Sequence, residues 1–405
     1  METSLVQQTY AFNEKLSKFH TKYFIRWDDN KREFVCDKTR KLCYIPWWIS
    51  SFGGSLLFFI TLFYQIVMQL VLKRVAMDLQ MLSVSLLLAI DQLLSTGLNI
   101  SLISTGKLMT QYYNEITHFH GNYFNSWSSY QEINGKIIRA HITNLIKGEK
   151  CDKVGLACLY IVVVLRSIPT SYLFTVVLFA KEPITFTAVD LASKADLNLI
   201  SRIIVRIIAM FWGYLVMLEL TRTLRIVLPF IIGATFMNHT LLIDINRAAL
   251  SQRVKYYNEL YWIHNHHEES AGWIVAIIMG VGYLISVLTG AISILGWKVL
   301  PITSYWLFPA TWTIAIGVTL VALPFAAVSY EASVGVKRDL QWELCKMKSG
   351  AHRKYTKLKM KSLPPLGFMC GSFGVLTNGA KTGYFWAILK YTVDLLLLMT
   401  SFRRK

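Results

Sequence analysis

The sequence predicts an all-α, polytopic membrane protein with seven transmembrane helices, a cytoplasmic N-terminus and an extracellular C-terminus. The first observation behind this fold class is composition: of 405 residues, 54% are hydrophobic and only 16% are charged, which is more apolar than soluble domains are. The second is that apolar stretches long enough to cross a bilayer as a helix recur along the chain. The third is that basic residues concentrate in alternate connecting segments, as they do in multi-pass proteins.

The charge and cysteine contents exclude other classes of protein. Lys and Arg number 42 against 24 acidic residues, and the net charge of +18 would indicate a nucleic-acid partner for a soluble protein. On so apolar a chain it indicates a membrane surface, so we expect lipid and not nucleic acid as a partner. The six cysteines show no Cys-x-x-Cys spacing and are too few for a disulfide scaffold or a zinc module. We therefore expect no metal and no cofactor.

The first predicted span follows a polar N-terminal segment. Residues 1–44 contain nine basic residues before any apolar stretch begins, which is unlike a secretory signal, so we expect a cytoplasmic tail. Residues 45–72 contain no charged residue, and they are numerous enough to cross the bilayer as a tilted helix. Trp47 and Trp48 near the start are typical of an interfacial anchor.

Hydropathy places the remaining six spans at residues 79–105, 154–180, 208–237, 273–297, 304–330 and 382–402. The fourth span is ambiguous, because Glu219, Arg222 and Arg225 interrupt the apolar sequence between residues 203 and 242. We favour one long helix. Two short spans joined by a turn at residues 221–223 are the alternative.

The distribution of basic residues predicts the orientation of the seven spans. It places 28 Lys and Arg residues on the side of the N-terminus and nine on the other side. The positive-inside rule assigns the richer side to the cytoplasm, so the C-terminus is extracellular. G-protein-coupled receptors have seven spans in the opposite orientation, and the charge count argues against that class.

The C-terminal part of the sequence carries a recognisable pattern. Residues 364–377 read Pro-Pro-Leu-Gly-Phe-Met-Cys-Gly-Ser-Phe-Gly-Val-Leu-Thr, residues 385–390 read Phe-Trp-Ala-Ile-Leu-Lys, and a final apolar helix follows. This pattern resembles the C-terminal signature of the arthropod odorant and gustatory receptor superfamily. The match covers about 40 residues, and the seven helices and cytoplasmic N-terminus of that superfamily agree with the charge count.

The resemblance implies a chemosensory receptor subunit that acts as a ligand-gated, non-selective cation channel in the plasma membrane, opened by a small, mostly apolar molecule or a tastant. It implies a homotetramer, or a heterotetramer with a related subunit, whose seventh helices line one central pore. It divides the chain into a cytoplasmic tail at 1–44, six helices with an outer ligand pocket at 45–330, a cytoplasmic anchor at 331–381, and the pore helix with a short extracellular tail at 382–405. The odorant and gustatory subtypes both remain open.

The resemblance assigns the pore to the last helix, where two registers compete. Aligning Lys390 and the closing phenylalanine places Ser401 where gustatory receptors carry Gln. We prefer this register, with Leu398 as an apolar constriction. Aligning Tyr391 instead shifts the helix by one turn and places Leu397 at the Gln position.

Two charged residues lie in the same helix. Asp394 follows Lys390 by four residues, so the two side chains share one helix face. One interpretation is an internally neutralised pair in a helix interface, since lone charges within a membrane are costly. The other is a fourfold ring of Asp394 carboxylates that favours cations in the pore.

The resemblance places the ligand pocket in the outer half of the bundle, between the second, third, fourth and sixth helices. Aromatic walls with few polar groups suit a small, mostly apolar ligand. The residues that we assign to the pocket are Tyr172 on the third span, Trp212 and Tyr214 on the fourth, and Tyr305, Trp306 and Phe308 on the sixth. Tyr172 and Trp212 are the first choices, and an interfacial aromatic belt is the alternative.

Two further polar groups have structural interpretations. Asp91 and Arg166 lie midway through the second and third spans, and we expect them to form a buried pair. Residues 264–269 read His-Asn-His-His-Glu-Glu, a spacing that is poor for one metal site, so we expect a polar cytoplasmic linker. The sequence contains no Gly-rich phosphate loop, HExxH motif or Gly-x-Ser-x-Gly elbow, and we predict no enzyme. A multipass transporter or permease is the alternative function.

Overall fold

The computed structural model describes residues 4–17, 23–37, 42–67, 79–124, 144, 152–179, 188, 192–193, 198–298, 300, 302–346 and 350–403. Helices dominate, which confirms the all-α class. They are α1 (Ser4–Ser17), α2 (Ile45–Trp48), α3 (Gly54–Ile66), α4 (Leu79–Phe124), α5 (Lys153–Phe179), α6 (Leu199–Arg247), α7 (Leu250–Leu295), α8 (Ile302–Tyr305), α9 (Leu307–Lys346), α10 (Ala351–Ser362) and α11 (Asn378–Arg403). A π-helical turn at Ile49–Gly53 joins α2 to α3, and two antiparallel strands, β1 (Ile25–Asp28) and β2 (Glu33–Cys36), form a hairpin.

Within the described ranges, six stretches are long and apolar enough to cross a membrane: Leu42–Tyr64, Ser83–Tyr123, Lys153–Thr170, Leu199–Arg247, Gly272–Leu295 and Leu307–Lys346. They overlap the first six predicted spans. The seventh predicted span, residues 382–402, lies in α11, which is helical but carries Lys390 and Asp394 among its apolar residues.

The fourth span is a single helix, as favoured from the sequence. α6 continues without interruption through the charged residues, which excludes the two-span alternative. The buried side chains of Glu219 and Arg222 lie one turn apart, with carboxylate and guanidinium atoms 3.5 Å from each other, so each offsets part of the desolvation cost of the other. The hydroxyl of Thr223 donates to the carbonyl of Glu219 at 3.0 Å and is satisfied within the helix.

Four helices are about twice as long as a bilayer requires. α4, α6, α7 and α9 contain 46, 49, 46 and 40 residues, and at about 1.5 Å per residue each far exceeds a hydrocarbon layer of about 30 Å. Residues 106–124, 238–247, 250–272 and 331–346, which hydropathy assigns to loops or linkers, are helical instead. Connectivity places all four extensions on the side of the N-terminus, and we call residues 106–124, 238–272 and 331–346 the base.

The N-terminal segment packs against the long helices. α1 lies against α5 and α6, and β2 lies against α4. An aromatic cluster is formed by Tyr10, Phe34, Tyr113 and Phe230. In the contacts that include Phe34 or Phe230, the ring centroids are 4.9 to 5.3 Å apart. Three of these four contacts are edge-to-face and the contact between Tyr113 and Phe230 is tilted, and such aromatic contacts contribute beyond simple burial. Residues 1–44 therefore include a packed part of the fold.

Pro229 within α6 links the N-terminal segment to the long helix. Proline has no N–H, so the carbonyl of Arg225, four residues earlier, loses its usual partner in the helix. The side-chain amide of Asn13 in α1 donates to that carbonyl at 3.4 Å. α1 thereby completes the backbone hydrogen bonding of α6 at this position.

Candidate functional site

The last helix packs through one face and leaves the opposite face uncovered. Ile388 and Thr392 are buried on the side of α11 that faces α7 and α9, and the hydroxyl of Tyr384 donates to the carbonyl of Met279 on α7 at 2.9 Å. The other side carries large apolar side chains that are each more than half exposed: Trp386, Leu389, Val393, Leu397 and Leu398. A continuous apolar helix face of this kind indicates a surface that lipid or other subunits cover.

The two charged residues of α11 do not neutralise each other. The ammonium of Lys390 lies over the ring of Tyr391, 5.6 Å from its centroid, and not against the carboxylate of Asp394. Both Lys390 and Asp394 are exposed. In the described structure the two side chains therefore form no ion pair with each other, and their place in an interface between subunits stays a prediction.

The proposed gate residues lie on the uncovered side of α11, in different directions. An α-helix turns by about 100° per residue, so Leu397 lies on the side opposite to Ile388, which belongs to the packed face. Leu398 is one residue further along and lies on the flank of α11. Leu397 and Leu398 are 64% and 53% exposed. Ser401 lies in the last turns of α11, and its side chain falls outside the described part of the structure.

An extended segment, residues 363–377, connects α10 to α11, and we call it the strap. Side chains of the base bind its backbone. The hydroxyl of Tyr257 donates to the carbonyl of Pro364 at 3.0 Å, and the hydroxyl of Ser333 donates to the carbonyl of Leu366 at 2.9 Å. The N–H of Leu366 donates back to the Ser333 oxygen at 2.8 Å. These bonds satisfy buried backbone groups that have no helix or sheet partner.

The strap ends in a tight turn before α11. Gly371 and Gly374 have positive φ angles of 52° and 98°, which glycine adopts without the steric cost of a side chain. The N–H of Cys370 donates to the carbonyl of Gly374 at 2.8 Å, and the N–H of Leu376 donates to the carbonyl of Phe368 at 2.9 Å. The sequence pattern at 364–377 thus corresponds to a fixed path from the base to α11.

His264 on α7 joins the strap to a chain of buried hydrogen bonds. Its Nε2 lies 2.9 Å from the carbonyl oxygen of Gly367, and its Nδ1 lies 2.9 Å from the hydroxyl of Tyr112. Because a carbonyl only accepts, Nε2 carries the proton and Nδ1 accepts from Tyr112, whose oxygen accepts from the amide of Asn238. Neutral His264 is therefore satisfied at both nitrogens, and it connects α4, α6 and α7 to the strap.

Residues 264–269, expected to form a polar linker between the fourth and fifth spans, are part of the continuous helix α7. His264 and His267 are only 5% and 2% exposed, and Nε2 of His267 lies 3.2 Å from the carboxylate of Glu115. Burial lowers the pKa of both imidazoles, and Glu115 partly opposes this for His267. Among the described residues, no group of three or more His, Cys, Asp or Glu side chains is arranged to hold a metal.

Replacing His264 with leucine is expected to lower the free energy of unfolding by about 2 kcal/mol, because the Gly367 carbonyl loses its donor and the Tyr112 hydroxyl its acceptor. Thermal unfolding of the detergent-purified protein measures this effect. His266→Leu, an exposed position on the same helix, is the matched control. A lowered pKa means that stability due to neutral His264 is complete above about pH 6.5 and falls below it. The difference between wild type and His264→Leu should therefore narrow at pH 5, and equal stability of the two leucine variants at pH 7.5 would contradict the prediction.

Some of the aromatic residues predicted to line a ligand pocket come together. Phe308 is fully buried in a cluster with Leu87 of α4 and Ile285 of α7, and Tyr305 packs against the same cluster. The Tyr305 hydroxyl donates to the carbonyl of Ser293 at 2.8 Å. Phe308 is therefore a core residue in the half of the bundle away from the base, and sequence reasoning missed the contribution of α7.

The remaining pocket residues lie elsewhere. Trp212 packs beside α3, where a Cβ on Gly54 would lie 3.5 Å from its Nε1, and this buried indole nitrogen has no hydrogen-bond partner among the described residues. Tyr214 is half-buried and Trp306 is 36% exposed. Tyr172 lies in α5, and its side chain is outside the described part. The structure thus does not gather all six residues into one cluster.

The expected pair of Asp91 and Arg166 is not formed. Asp91 lies on α4 and Arg166 lies on α5. α6 packs extensively against both of these helices and separates them. Arg166 is exposed and Asp91 is half-buried. Position along the chain does not reveal that the fourth predicted span lies between the second and the third.

No protein-family model matches the sequence, and no curated protein matches it. Solved structures do resemble the chain. The insect olfactory receptor OR5 from Machilis hrabei superposes with a TM-score of 0.59 and 10% sequence identity, covering 97% of each chain. The structure of that receptor in complex with eugenol gives a TM-score of 0.54 and 11% identity, again covering 97% of each chain. The chain thus has the fold of an insect olfactory receptor, as the resemblance at residues 364–390 implies, and the comparisons give an enzyme no support.

Proposed function

We propose, from the insect olfactory receptor fold of this chain, that it is a chemosensory receptor subunit forming a ligand-gated, non-selective cation channel in the plasma membrane. The observation that carries the proposal is the uncovered apolar face of α11. A single chain leaves this face without a partner, whereas several copies of α11 around an axis would cover its edges and enclose a pore. The same arrangement accounts for two charged residues on a membrane helix, because the water in a pore solvates charged side chains.

The base and α10 together supply a second surface for assembly. Trp262, Trp342, Tyr355 and Leu358 are 63%, 66%, 63% and 68% exposed. Large aromatic and aliphatic side chains of this kind are enriched at the centres of protein interfaces. We assign them to contacts between four subunits, in a homotetramer or with a related subunit, which is the anchor role implied for residues 331–381. The charge count supports a cytoplasmic base and N-terminus.

The ligand that we propose is a small, mostly apolar molecule that binds in the outer half of the bundle. The aromatic residues there offer apolar walls, and the buried Trp212 indole offers a hydrogen-bond donor that has no described partner. The eugenol complex of the similar receptor agrees with a ligand of this kind. Odorant and gustatory subtypes both fit these features.

The experiment that tests this function is electrophysiology on cells that express the chain alone or with a related subunit. We expect currents evoked by small volatile molecules or tastants, with a reversal potential near zero in solutions of mixed monovalent cations. Purified protein should be tetrameric. Saturable, substrate-coupled uptake by a monomer or dimer, without such currents, would instead support the transporter alternative.

Replacing Asp394 with asparagine is expected to lower the permeability of the open channel to sodium relative to chloride, since it removes a ring of four carboxylates from the pore. Reversal potentials measured during tenfold dilution of external sodium chloride report this ratio. Lys390→Gln is the matched control and should move the ratio in the opposite direction, because Lys390 lies on the same uncovered face. An unchanged permeability ratio with intact currents would contradict the acidic ring.

A further inference from the structure

We propose that Arg225, together with Arg222 and Arg166, forms a site between α5 and α6 for the phosphate group of an anionic lipid in the leaflet next to the base. The site is independent of the channel function, since it depends only on where these three side chains lie in the bundle.

Arg225 is the starting point, because it is a buried cation that forms no ion pair with any carboxylate among the described residues. It is only 2% exposed, and its Nε has no hydrogen-bond partner among the described residues. Arg222 is 3% exposed and lies on the same face one turn earlier, paired with the carboxylate of Glu219 at 3.5 Å. The charged side chains nearest Arg225 within the described ranges are Arg222, Arg166 and Glu219.

One carboxylate therefore faces three guanidinium groups. Glu219 is engaged by Arg222, whose guanidinium carbon also lies 4.8 Å from the centroid of the Tyr23 ring. Burying an unneutralised cation costs several kcal/mol in real proteins, so a bound anion is the expected remedy. Planar guanidinium groups bind phosphate oxygens through two parallel hydrogen bonds, which makes phosphate the chemistry that fits best.

Arg166 opens the site toward the lipid. The Sγ of Cys158 on α5 lies 3.9 Å from the carbonyl oxygen of Pro229 on α6. The two helices are antiparallel neighbours, and Arg166 lies about two turns after Cys158 on α5. It is therefore level with the part of α6 about two turns before Pro229, which is close to Arg222. On α5, Arg166 shares an exposed face with Tyr160 and Val163, which are 46% and 51% exposed. That apolar face is directed to lipid, so Arg166 stands at the rim of the site.

The height of the site matches a head-group region. Apolar side chains of α6 are exposed from Leu199 to Phe211, which are 73% and 59% exposed, whereas the helix is mostly buried from Val216 onward. Residue 222 lies about 35 Å along the helix from residue 199, slightly more than the hydrocarbon layer of about 30 Å. If the exposed stretch begins at one membrane surface, Arg222 and Arg225 lie at the other, next to the base. Arginine side chains commonly reach lipid phosphates at this level.

The test is lipid binding to the purified full-length protein, measured by native mass spectrometry with phosphatidylserine and phosphatidylcholine of identical acyl chains. We expect the wild type to retain phosphatidylserine in preference to phosphatidylcholine. Arg225→Gln should weaken phosphatidylserine binding about tenfold, as loss of one charge-assisted contact does. Arg166→Gln should weaken it in the same direction. The matched control is Arg206→Gln, on the same helix but in the half far from the base, and it should leave binding unchanged.

Two results would overturn the proposal. Unchanged preference for phosphatidylserine in both Arg225→Gln and Arg166→Gln would overturn the site. Release of the lipid by millimolar inorganic phosphate would show that the site takes a free anion and would overturn the lipid assignment. If Arg225→Gln fails to fold, Arg166→Gln decides alone, because the exposed Arg166 side chain contributes little to packing.

Discussion

Replacing Gly367 with alanine is expected to destabilise the protein by about 2 kcal/mol and to reduce ligand-evoked current by tenfold or more. A Cβ at this position would lie 2.5 Å from Cγ1 of Val375 and 2.9 Å from Cδ2 of Tyr330. The strap would have to move away from α9, and the bond from His264 to the Gly367 carbonyl would lengthen or break. Because the strap leads directly into α11, we expect the path of the pore helix to change with it.

Thermal unfolding, surface labelling and whole-cell current together measure this effect. The matched control is Gly335→Ala. Gly335 lies in the part of α9 that belongs to the base, and a Cβ on it would meet no atom within 4 Å. That change should stabilise the protein by about 1 kcal/mol, since alanine favours the helix over glycine. If Gly367→Ala were as stable as Gly335→Ala and gave normal currents, the strap would not position α11.

Replacing Leu358 with glutamate is expected to abolish assembly, and with it all current. Leu358 lies on α10 and is 68% exposed, close along the chain to Tyr355, which is 63% exposed. An apolar side chain at the centre of an interface typically contributes about 2 kcal/mol or more to the free energy of association. A buried, unpaired carboxylate in its place adds a further free-energy cost. The folded subunit itself should be unaffected, because Leu358 does not belong to its core.

Size-exclusion chromatography with light scattering measures the oligomeric state, and thermal unfolding measures subunit stability. Lys357→Ala is the control, since it alters a neighbouring exposed position of α10 without removing apolar area from the proposed interface. A Leu358→Glu protein that remained tetrameric would show that α10 does not take part in assembly. A protein that lost both tetramer and fold would place Leu358 in a subunit core instead.

The sequence predicted the membrane-crossing half of the molecule well. Apolar side chains recur over lengths that match the bilayer, and this signal does not depend on how the helices pack. It also favoured one continuous α6 over two short spans, although three charged residues interrupt the apolar sequence there. The same signal left out the parts of α4, α6, α7 and α9 that belong to the base, because polar side chains are frequent among the apolar ones there and hydropathy averages the two.

The residues that bind the strap were not predictable from sequence. Tyr257 and Ser333 are common residue types at unremarkable positions, and their role depends on carbonyl groups more than 30 residues away. His264 drew notice only as part of a histidine-rich run, and its partners Tyr112 and Gly367 lie on other elements. The pair expected between Asp91 and Arg166 failed for the same reason, since sequence position does not reveal that α6 separates their helices.

By itself, the sequence determined that this protein is a helical multi-pass membrane protein, where most of its spans lie, and which short pattern marks the approach to its last helix. These features follow from local composition and spacing, because the length of an apolar stretch and the charge beside it decide how a segment sits in a bilayer. Only the tertiary structure decided that the helices extend into a packed base, that the strap is held by Tyr257, His264 and Ser333, and that Arg225 is buried with no ion-pair partner in the described part of the chain. Each of these depends on contacts between residues far apart in the chain, and such contacts exist only once the helices have taken their positions beside one another.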